Sequence, residues 1–581
     1  MLPSGAVEEE EEEAQGPRKH TKKKKKKDRA TAAKKKKQKK KEEEEEEEEE
    51  EDHHQQQQQQ EQEEHEEEEE EESVDPDLVL LRGIFKLKKK SHDVLLTRTR
   101  LTWTPIVPET PTGQSTVVRS GALLLKDVFA VRVKRRRAAG QQTGGAVLGL
   151  ALFCGRRRGR RLEEETLHLN NASVEHTHTW FNTVKELLAA SKRPRSLKVL
   201  INPCSHKKEA VHIYRAHVAP LFKMADIHTD ITITEKKGHA LSVLKECKLD
   251  EFDGLVCVGG DGSVAEVCHA LVLRAQLDAG SPETPERATL PLGIIPAGST
   301  DVVSCSVHGV RDPVTAALHI ILGHLQQVDM CSFSSLGRLV RFGFSAMFGF
   351  GGRSLALAEK KRWMSSSRRR EYALVKTLAK LRPEECELSF LPAKKTDGNL
   401  SEQRDQDPDP DPDPDPEPGE TEGEESWTTN QGLYLSISIM SIPCLSPHVP
   451  RGLAPNTRLA NGSAALIAVG NTSRSEFIRH LKRFSSSSGQ FSFSFVEAHA
   501  VSAVRLRPRA LTGWPEEENE EEGESKSTPI IQSERAFPWN IDGELVEIAN
   551  EVLVRVHPGL ITLYGEDVDE AEEPIVSCSC I

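Results

Sequence analysis

The stretch that decides the fold is Val256-Cys257-Val258-Gly259-Gly260-Asp261-Gly262-Ser263-Val264-Ala265-Glu266-Val267. The apolar run that ends at Val258 is typical of a buried parallel strand, and the glycines after it allow a sharp turn. A glycine turn that opens a helix favours an anion, because unpaired N–H groups and the helix dipole both attract negative charge. Asp261 lies in this turn, where its carboxylate is placed to accept a proton from a hydroxyl that attacks a phosphate. The simpler interpretation is a strand-to-helix turn whose aspartate caps the helix.

Composition separates a charged N-terminal segment from the rest of the 581 residues. Residues 7–72 carry almost no large apolar side chain, so burial cannot offset the entropy cost of ordering, and we expect a disordered tail over 1–77. Its lysine runs predict nuclear or nucleolar targeting or nonspecific RNA binding. A solvated tail, neutralised by its own glutamates, is the alternative.

Cysteines and histidines show no metal-binding or disulfide spacing. The 11 cysteines are scattered, which indicates a reducing compartment. We interpret four histidines of the central region as core or surface residues: His269, His308, His319 and His324. We also find no signal peptide or membrane-spanning stretch.

Residues 78–190 are predicted to form a small β domain closed by a helix that carries Trp180 on its apolar face. This strand meander resembles a pleckstrin-homology domain, which binds anionic lipid head groups through its opening hairpin. We expect that role for the basic residues Lys86, Lys88, Lys89, Lys90, Arg98 and Arg100. A basic surface that serves solubility or nuclear import is the alternative.

Residues 196–338 alternate strand and helix, which predicts a doubly wound parallel sheet with its ligand at the carboxyl ends of the strands. Three turns are expected to meet there, at 202–203, 259–262 and 296–301. Their convergence strengthens the prediction of a nucleotide site beyond what one glycine turn supports.

Residues 339–570 are predicted to form an antiparallel β-sandwich, interrupted by an amphipathic helical region over 353–381. Gln490 to Val496 is one of its predicted strands. Acidic inserts at 398–426 and 515–535 are expected to be charged loops, since Asp-Pro repeats continue neither a helix nor a central strand. In the tail over 571–581, Cys578 occupies the prenylation position, but neither middle residue after it is aliphatic.

The combined motifs resemble the family of diacylglycerol, sphingosine and ceramide lipid kinases. They are Val-Gly-Gly-Asp-Gly at 258–262, Ile-Pro-Ala-Gly-Ser-Thr at 295–300 and Trp-Asn-Ile-Asp-Gly-Glu at 539–544. The resemblance extends over roughly residues 78–570. It implies ATP and Mg²⁺ as cofactors and Asp261 as general base toward a lipid hydroxyl. It also implies a nucleotide site formed by Asn202, Thr234, Gly259, Gly260, Gly262, Glu266, Gly298, Ser299, Thr300, Arg362, Arg368, Asp542, Gly543 and Glu544.

Three positions depart from the family pattern. The loop after Asn202-Pro203 is Cys204 to Lys208, where active members usually have Gly-Gly-Lys-Gly, so side chains are expected to crowd the nucleotide. Arg353 is expected on the substrate side, where ceramide kinases have an aspartate, and it reverses the charge near the lipid head group. Asn461 stands where many relatives have aspartate.

Two functions follow from these observations. The first is a protein with the lipid kinase fold that binds anionic membranes, a sphingolipid-like ligand and a nucleotide, without ceramide kinase activity, and acts in sphingolipid signalling or cell survival. The alternative is an ATP- and magnesium-dependent kinase that phosphorylates the hydroxyl of another lipid. The expected location is the cytoplasm and the nucleus or nucleolus, with peripheral association with endoplasmic reticulum or Golgi membranes.

Overall fold

The computed structural model describes residues 78–107, 120–141, 144–205, 207–393, 426–484, 489–509 and 536–566. The predictions for the N-terminal tail, for nearly all of both acidic inserts and for the tail with Cys578 lie outside these residues. Within the described ranges, no helix combines the length and apolar character needed to cross a bilayer.

The first structural region is a seven-stranded antiparallel sheet with strand order β4-β3-β2-β1-β7-β6-β5. Its elements are β1 Leu81–Leu87, β2 Lys90–Leu96, β3 Arg100–Pro105, β4 Gly121–Leu124, β5 Val128–Arg136, β6 Ala146–Arg158, β7 Arg161–Asn170 and α1 Val174–Ala189. Helix α1 begins at a side-chain cap, because the Oγ of Ser173 accepts a hydrogen bond from the backbone of His176. Trp180 of α1 is buried edge-on against Phe85, with ring centroids 4.8 Å apart, so the helix covers the core of the sheet.

The second region is a parallel sheet in the order β11-β10-β8-β9. Its strands are β8 Ser196–Ile201, β9 His228–Ile233, β10 Gly254–Gly259 and β11 Leu292–Pro296. The helices are α2 Ala210–Ile213, continued through a π-helical turn at Tyr214–Val218 into α3 Ala219–Met224, then α4 His239–Glu246, α5 Asp261–Asp278, α6 Val302–His308 and α7 Pro313–Leu322. Every residue of β10 and β11 is buried, as their continuous apolar sequences predict.

The parallel sheet is covered on both faces. Cys257 and Ile294 belong to the core cluster that includes α5, whereas Val256 and Ile295 belong to the cluster that includes α7. Successive side chains of a strand point to opposite faces, which explains this alternation. The doubly wound arrangement therefore matches the prediction.

The third region is antiparallel and has the strand order β20-β19-β14-β16-β15-β18-β21, with β17 paired to β16 and β18 and with β12 paired to β13 and β21. Its strands are β12 Leu325–Ser335, β13 Arg338–Gly343, β14 Ser345–Gly349, β15 Glu384–Pro392, β16 Thr428–Met440, β17 Ala464–Gly470, β18 Val496–Arg509, β19 Phe537–Ile541, β20 Glu544–Ile548 and β21 Val552–Tyr564. Its helices are α8 Phe350–Lys360, α9 Ser366–Ala379 and α10 Arg474–Arg483.

Two sequence expectations differ from this architecture. The antiparallel region begins at 325 and not at 339, because β12 pairs with β21, a partner more than 200 residues away that leaves no local signal. The predicted strand Gln490 to Val496 is wrong: 489–495 forms turns, and β18 begins at 496. The alternating phenylalanines there imitate a strand pattern, but Phe493 and Phe495 pack against His480 of α10.

Candidate functional site

A polar cleft of about 670 Å³ opens at the carboxyl ends of the parallel strands and is closed on the other side by α8, α9 and the β19–β20 turn. Most of the residues predicted for the nucleotide site line it: Asn202, Thr234, Gly260, Asp261, Gly262, Glu266, Gly298, Ser299, Thr300, Arg362, Gly543 and Glu544. Gly259, Arg368 and Asp542 are not among the lining residues. The three predicted turns are thus brought together around one cleft.

Backbone contact between two glycines holds the cleft turns together. A Cβ added to Gly298 would lie 2.5 Å from the Cα of Gly260, so neither turn tolerates a side chain there. A Cβ on Gly262 would meet nothing within 4 Å, which shows that this glycine faces open space. Gly259 is buried at the end of β10, where a Cβ would lie 2.7 Å from that of Ser263; its role is close packing.

Asp261 begins α5 and lines the cleft. One of its oxygens accepts a hydrogen bond of 3.3 Å from the backbone of Val303. Burial, reinforced by the negative charge of Asp301, raises the pKa of Asp261 to about 7. A carboxyl group with that pKa exchanges a proton readily at neutral pH, which is the property that a general base requires.

Asp301 and Arg311 stabilise the neighbouring turn. Asp301 is buried, has a left-handed backbone with φ 54°, and accepts a hydrogen bond of 2.8 Å from the backbone of Gly298. Arg311 donates to the other oxygen of Asp301 at 2.6 Å and also to the Gly298 carbonyl. Arg311 could not be predicted from the sequence, because only folding brings it beside a turn ten residues earlier.

Two of the predicted nucleotide residues also hold neighbouring elements in place. The side-chain amide of Asn202 donates to the Oγ of Ser263 at 2.7 Å, which ties the end of β8 to the first turn of α5. Glu266 accepts from the backbone of Ala240 at 3.1 Å and so satisfies an N–H group at the start of α4.

The loop after β8 contributes little charge to the cleft. Ser205 is buried, and Lys208 adopts φ 66°, a left-handed conformation that favours glycine. Lys207 and Lys208 do not line the cleft, whereas Lys236 and Lys237 do. The latter two follow the carboxyl end of β9, a position in the sequence that could have identified them.

Two predicted carboxylates, Asp542 and Glu544, lie at the turn between β19 and β20 and have different roles. Asp542 is buried and accepts from the backbones of Phe344 and Ser345 at 2.9 and 2.8 Å, so it stabilises the turn. Burial raises the pKa of Asp542. Glu544 lines the cleft, where it forms ion pairs with Arg341 at 2.5 Å and Lys237 at 3.3 Å.

Arginines of the α8–α9 segment reach the cleft, but not all of those predicted do. Arg362 lines it, together with Arg369 and Arg370 in place of the predicted Arg368. Arg370 donates to the Oγ1 of Thr300 at 3.1 Å and so connects α9 to the 296–301 turn. The rotation of the helix decides which of the three arginines at 368–370 faces the cleft. Three consecutive arginines give no sequence signal for that rotation.

Arg353 is placed away from the cleft. Its guanidinium forms an ion pair with Glu384 and donates to the Arg382 carbonyl at 2.7 Å. Arg353 is only 13% exposed and Glu384 only 15%, and burial lowers the pKa of Arg353. The expectation that Arg353 presents a reversed charge to the lipid head group therefore has no support in this geometry.

An apolar cavity of about 760 Å³ adjoins the polar cleft, within the size range of known small-molecule sites. It lies between α8, α9, α10 and strands β14, β16 and β17, and apolar side chains dominate its lining, among them Met347, Phe350, Leu374, Ile467, Val469 and Phe477. Four residues line both cavities: Leu355, Ala358, Arg370 and Asn540. A ligand with a polar head and an apolar tail would bridge them.

The chemistry of the cleft fits a polyphosphate. The open Gly262, the first-turn N–H groups of α5 and the nearby lysines and arginines suit anionic oxygens. Proteins usually bind Mg²⁺ through one or two carboxylates plus substrate phosphates. Of the carboxylates that line the cleft, Glu359 and Glu544 are already ion-paired, which leaves Glu235, Asp261 and Glu266 as those suited to a phosphate-bound metal ion.

The predicted head-group residues of the N-terminal sheet are all exposed, but they lie at two ends of it. Lys86, Lys88, Lys89 and Lys90 surround the β1–β2 turn, whereas Arg98 and Arg100 lie at the β2–β3 turn. The seven-residue strand between the turns spans roughly 20 Å. One head group therefore cannot contact both sets.

Comparison with known proteins supports the architecture. The model of the diacylglycerol kinase catalytic domain matches residues 196–333, and that of the ceramide kinase C-terminal domain matches residues 344–581. The ceramide kinase-like protein of Homo sapiens is 49% identical over 529 residues, which cover 85% of this chain and 91% of that protein. The chain belongs to the ceramide kinase family of lipid kinases.

Other similar proteins share less sequence identity with this chain. Ceramide kinase of Homo sapiens is 34% identical over 425 residues, covering 68% of this chain and 78% of that protein. A crystal structure of a diacylglycerol kinase from Bacillus anthracis str. Sterne is 13% identical, covers 65% of this chain and 98% of its own, and superimposes with a TM-score of 0.39. Membership implies ATP and a divalent metal for the family as a whole.

Proposed function

We propose that this chain is an ATP- and magnesium-dependent lipid kinase whose polar cleft binds the nucleotide and whose apolar cavity binds the lipid. The observation that carries the proposal is the shared wall of the two cavities, with Asp261 in the polar one. A lipid in the apolar cavity would extend its polar head past Leu355 and Asn540 toward Asp261. The relatives named ceramide kinase suggest a sphingolipid as the substrate class.

The proposed mechanism relies on position and charge. When bound, ATP would supply the phosphoryl group and leave as ADP, and Mg²⁺ would neutralise charge on the phosphate oxygens. Residues of this chain would do the rest: the first turn of α5 binds phosphate oxygens, Lys236 and Arg370 balance their charge, and Asp261 accepts the proton of the lipid hydroxyl.

A lipid-binding protein without turnover is the second candidate, and the loop after β8 favours it. Ser205 is buried beside the glycine turn, and Lys208 occupies a backbone conformation suited to glycine. Such a loop approaches a nucleotide less closely than one made of glycines, while the apolar cavity is unaffected.

Lipid binding and phosphorylation are expected to depend on Leu374, which lines the apolar cavity, and not on its neighbour Val375, which is 65% exposed and does not line it. Leu374→Glu places a charge against the lipid chain and is expected to reduce both lipid binding and phosphate incorporation at least about 10-fold. The assay uses full-length protein, labelled ATP, Mg²⁺ and vesicles that contain a panel of sphingolipids and glycerolipids.

Val375→Glu is the matched control and is expected to behave like the unmodified protein. ATP binding is measured separately by calorimetry. If the protein binds lipid but neither phosphorylates it nor binds ATP, the result supports the second candidate, a lipid-binding protein without turnover. Equal effects of the two substitutions would exclude the apolar cavity as the lipid site.

We also propose that the N-terminal sheet, resembling a pleckstrin-homology domain, binds anionic membranes through the β1–β2 turn. Each well-placed lysine contributes about 1 kcal/mol, so replacing Lys88, Lys89 and Lys90 by alanine is expected to weaken binding to phosphoinositide vesicles roughly 100-fold. Replacing Arg98 and Arg100, at the other end of the sheet, is the control and should have a smaller effect. Vesicle sedimentation at increasing salt measures both, and equal losses would contradict a site at the β1–β2 turn.

The proposed location follows from these surfaces. Peripheral association with internal membranes would depend on the N-terminal sheet. The lysine runs of residues 22–41 would direct part of the protein to the nucleus or nucleolus. The same lysine runs also suit nonspecific RNA binding.

A further inference from the structure

His319, His324 and Glu566 come together at a place remote in sequence from the glycine turn. Their ligand atoms all lie within 4.8 Å of one another, and in the part of the chain that the structure describes they are the one group of three or more His, Cys, Asp or Glu side chains with this property. The sequence analysis interpreted both histidines as ordinary core or surface residues. Glu566, far along the chain, carries no spacing signal relative to them.

The backbone holds the three residues in a defined arrangement. Helix α7 carries His319 in its last turn, and Gly323 then ends the helix with φ 72°, so that the backbone of His324 donates to the His319 carbonyl. After β21, the backbone of Gly565 donates to the His324 carbonyl at 2.9 Å. This bond places Glu566 beside the histidine pair.

The distances suit a small tetrahedral metal ion. The Nδ1 atoms of His319 and His324 are 3.0 Å apart, and the Nδ1 of His324 is 3.2 Å from the Oε1 of Glu566. Zinc–ligand bonds of about 2.0–2.1 Å place tetrahedral ligands roughly 3.3 Å apart. Two imidazoles and one carboxylate are a donor set that zinc uses when its fourth position is taken by water.

The carboxylate is already oriented by a second contact. Arg157 of β6 forms an ion pair with the Oε2 of Glu566, which leaves Oε1 facing the histidines. Partners of this kind commonly orient metal ligands. His319 is buried at 3% exposure, so its ring is fixed in position beside His324.

We propose that His319, His324 and Glu566 form a Zn²⁺ site at the junction of the N-terminal sheet, α7 and the end of β21. The ion would hold these elements together, because His319 lies in α7, His324 is the second residue after that helix and Glu566 follows β21. Arg157 of the N-terminal sheet contacts Glu566. The site lies outside the two cavities, so the ion would take no part in the proposed phosphoryl transfer.

The test uses full-length protein freed of metal with a chelator and then titrated with Zn²⁺ alone. We expect the melting temperature to rise with Zn²⁺ concentration, and Co²⁺ to produce the visible absorption bands of a tetrahedral site. His324→Gln is expected to weaken the affinity derived from the melting temperatures at least about 100-fold and to abolish the cobalt bands. Binding to the histidines and cysteines of the terminal segments would not be coupled to melting in this way.

His217→Gln, at an exposed histidine outside the cluster, is the control and should retain the full response to both metals. Glu566→Gln keeps the shape of the side chain and should reduce the response to Zn²⁺. If Zn²⁺ shifts the melting temperature of the unmodified protein and of His324→Gln equally, or shifts neither, the three residues form only a hydrogen-bonded ion-pair cluster and the proposal is wrong.

Discussion

Asp261→Asn is expected to stabilise the fold by about 1–3 kcal/mol at neutral pH while it lowers lipid phosphorylation by about 10²–10⁴-fold. The asparagine keeps the size of the side chain and still accepts the hydrogen bond from Val303. It removes a partly buried negative charge close to that of Asp301. A substitution that improves stability and removes activity is typical of a functional group held in an unfavourable environment.

The stability gained by Asp261→Asn should increase as the pH rises from about 4 to about 7. The pKa of Asp261 is raised from 3.8 to about 7, so the folded state binds its proton more tightly than the unfolded state. The contribution of the native aspartate to stability is therefore present below about pH 4 and lost as the pH rises to about 7. Urea unfolding at several pH values should show the two proteins converging at low pH. The kcat/KM of the native enzyme should rise with pH through about 7.

Asp542→Asn is the matched control. It makes the same chemical change at a carboxylate whose two oxygens are both hydrogen-bonded. Both oxygens of Asp542 accept hydrogen bonds, from Phe344 and from Ser345, and an amide has only one acceptor oxygen to offer. We expect this variant to lose about 1–3 kcal/mol of stability. If Asp261→Asn is destabilising as well, Asp261 has a structural role through its hydrogen bond from Val303 and is not a base.

Arg353→Asp is expected to destabilise the protein by about 3–5 kcal/mol instead of restoring the substrate site of a ceramide kinase. The new carboxylate would lie in a buried position next to Glu384, where Arg353 now balances the charge. Arg382, 3.8 Å from Glu384, compensates for only part of that loss. Denaturant unfolding monitored by tryptophan fluorescence measures the change.

Two further variants separate the loss of the ion pair from other effects. Arg353→Met combined with Glu384→Leu replaces the pair by apolar side chains and should recover most of the stability. Arg353→Asp combined with Glu384→Arg reverses the pair and should recover part of it. Unchanged stability in Arg353→Asp alone would mean that the side chain does not lie against Glu384, which would leave open the predicted position beside the lipid head group.

The parallel sheet and its cleft could be predicted because their signals are local. A continuous apolar run marks each buried strand, and ligand turns follow the carboxyl ends of such strands wherever the sheet is doubly wound. Gly260, Gly262, Asn202 and Thr300 line the cleft for this reason. Strand β12 could not be assigned in this way, since its burial depends on a partner near the other end of the chain.

Side-chain direction could not be predicted. Arg353 is directed at Glu384, Asp542 accepts hydrogen bonds from the backbones of Phe344 and Ser345, and Arg370 takes the place expected for Arg368. Each outcome depends on helix rotation or on a partner elsewhere in the chain. The same holds for His319, His324 and Glu566, which no spacing connects.

By itself, the sequence determined the order of the domains, the doubly wound sheet and the glycine turn around Asp261, because hydrophobic periodicity and the conformational freedom of glycine act over a few neighbouring residues. The tertiary structure decided which charged groups face the cleft, which are neutralised in the interior and where polar and apolar cavities meet. These depend on contacts between residues up to hundreds of positions apart, whose burial and electrostatic energies exist only once the chain has folded.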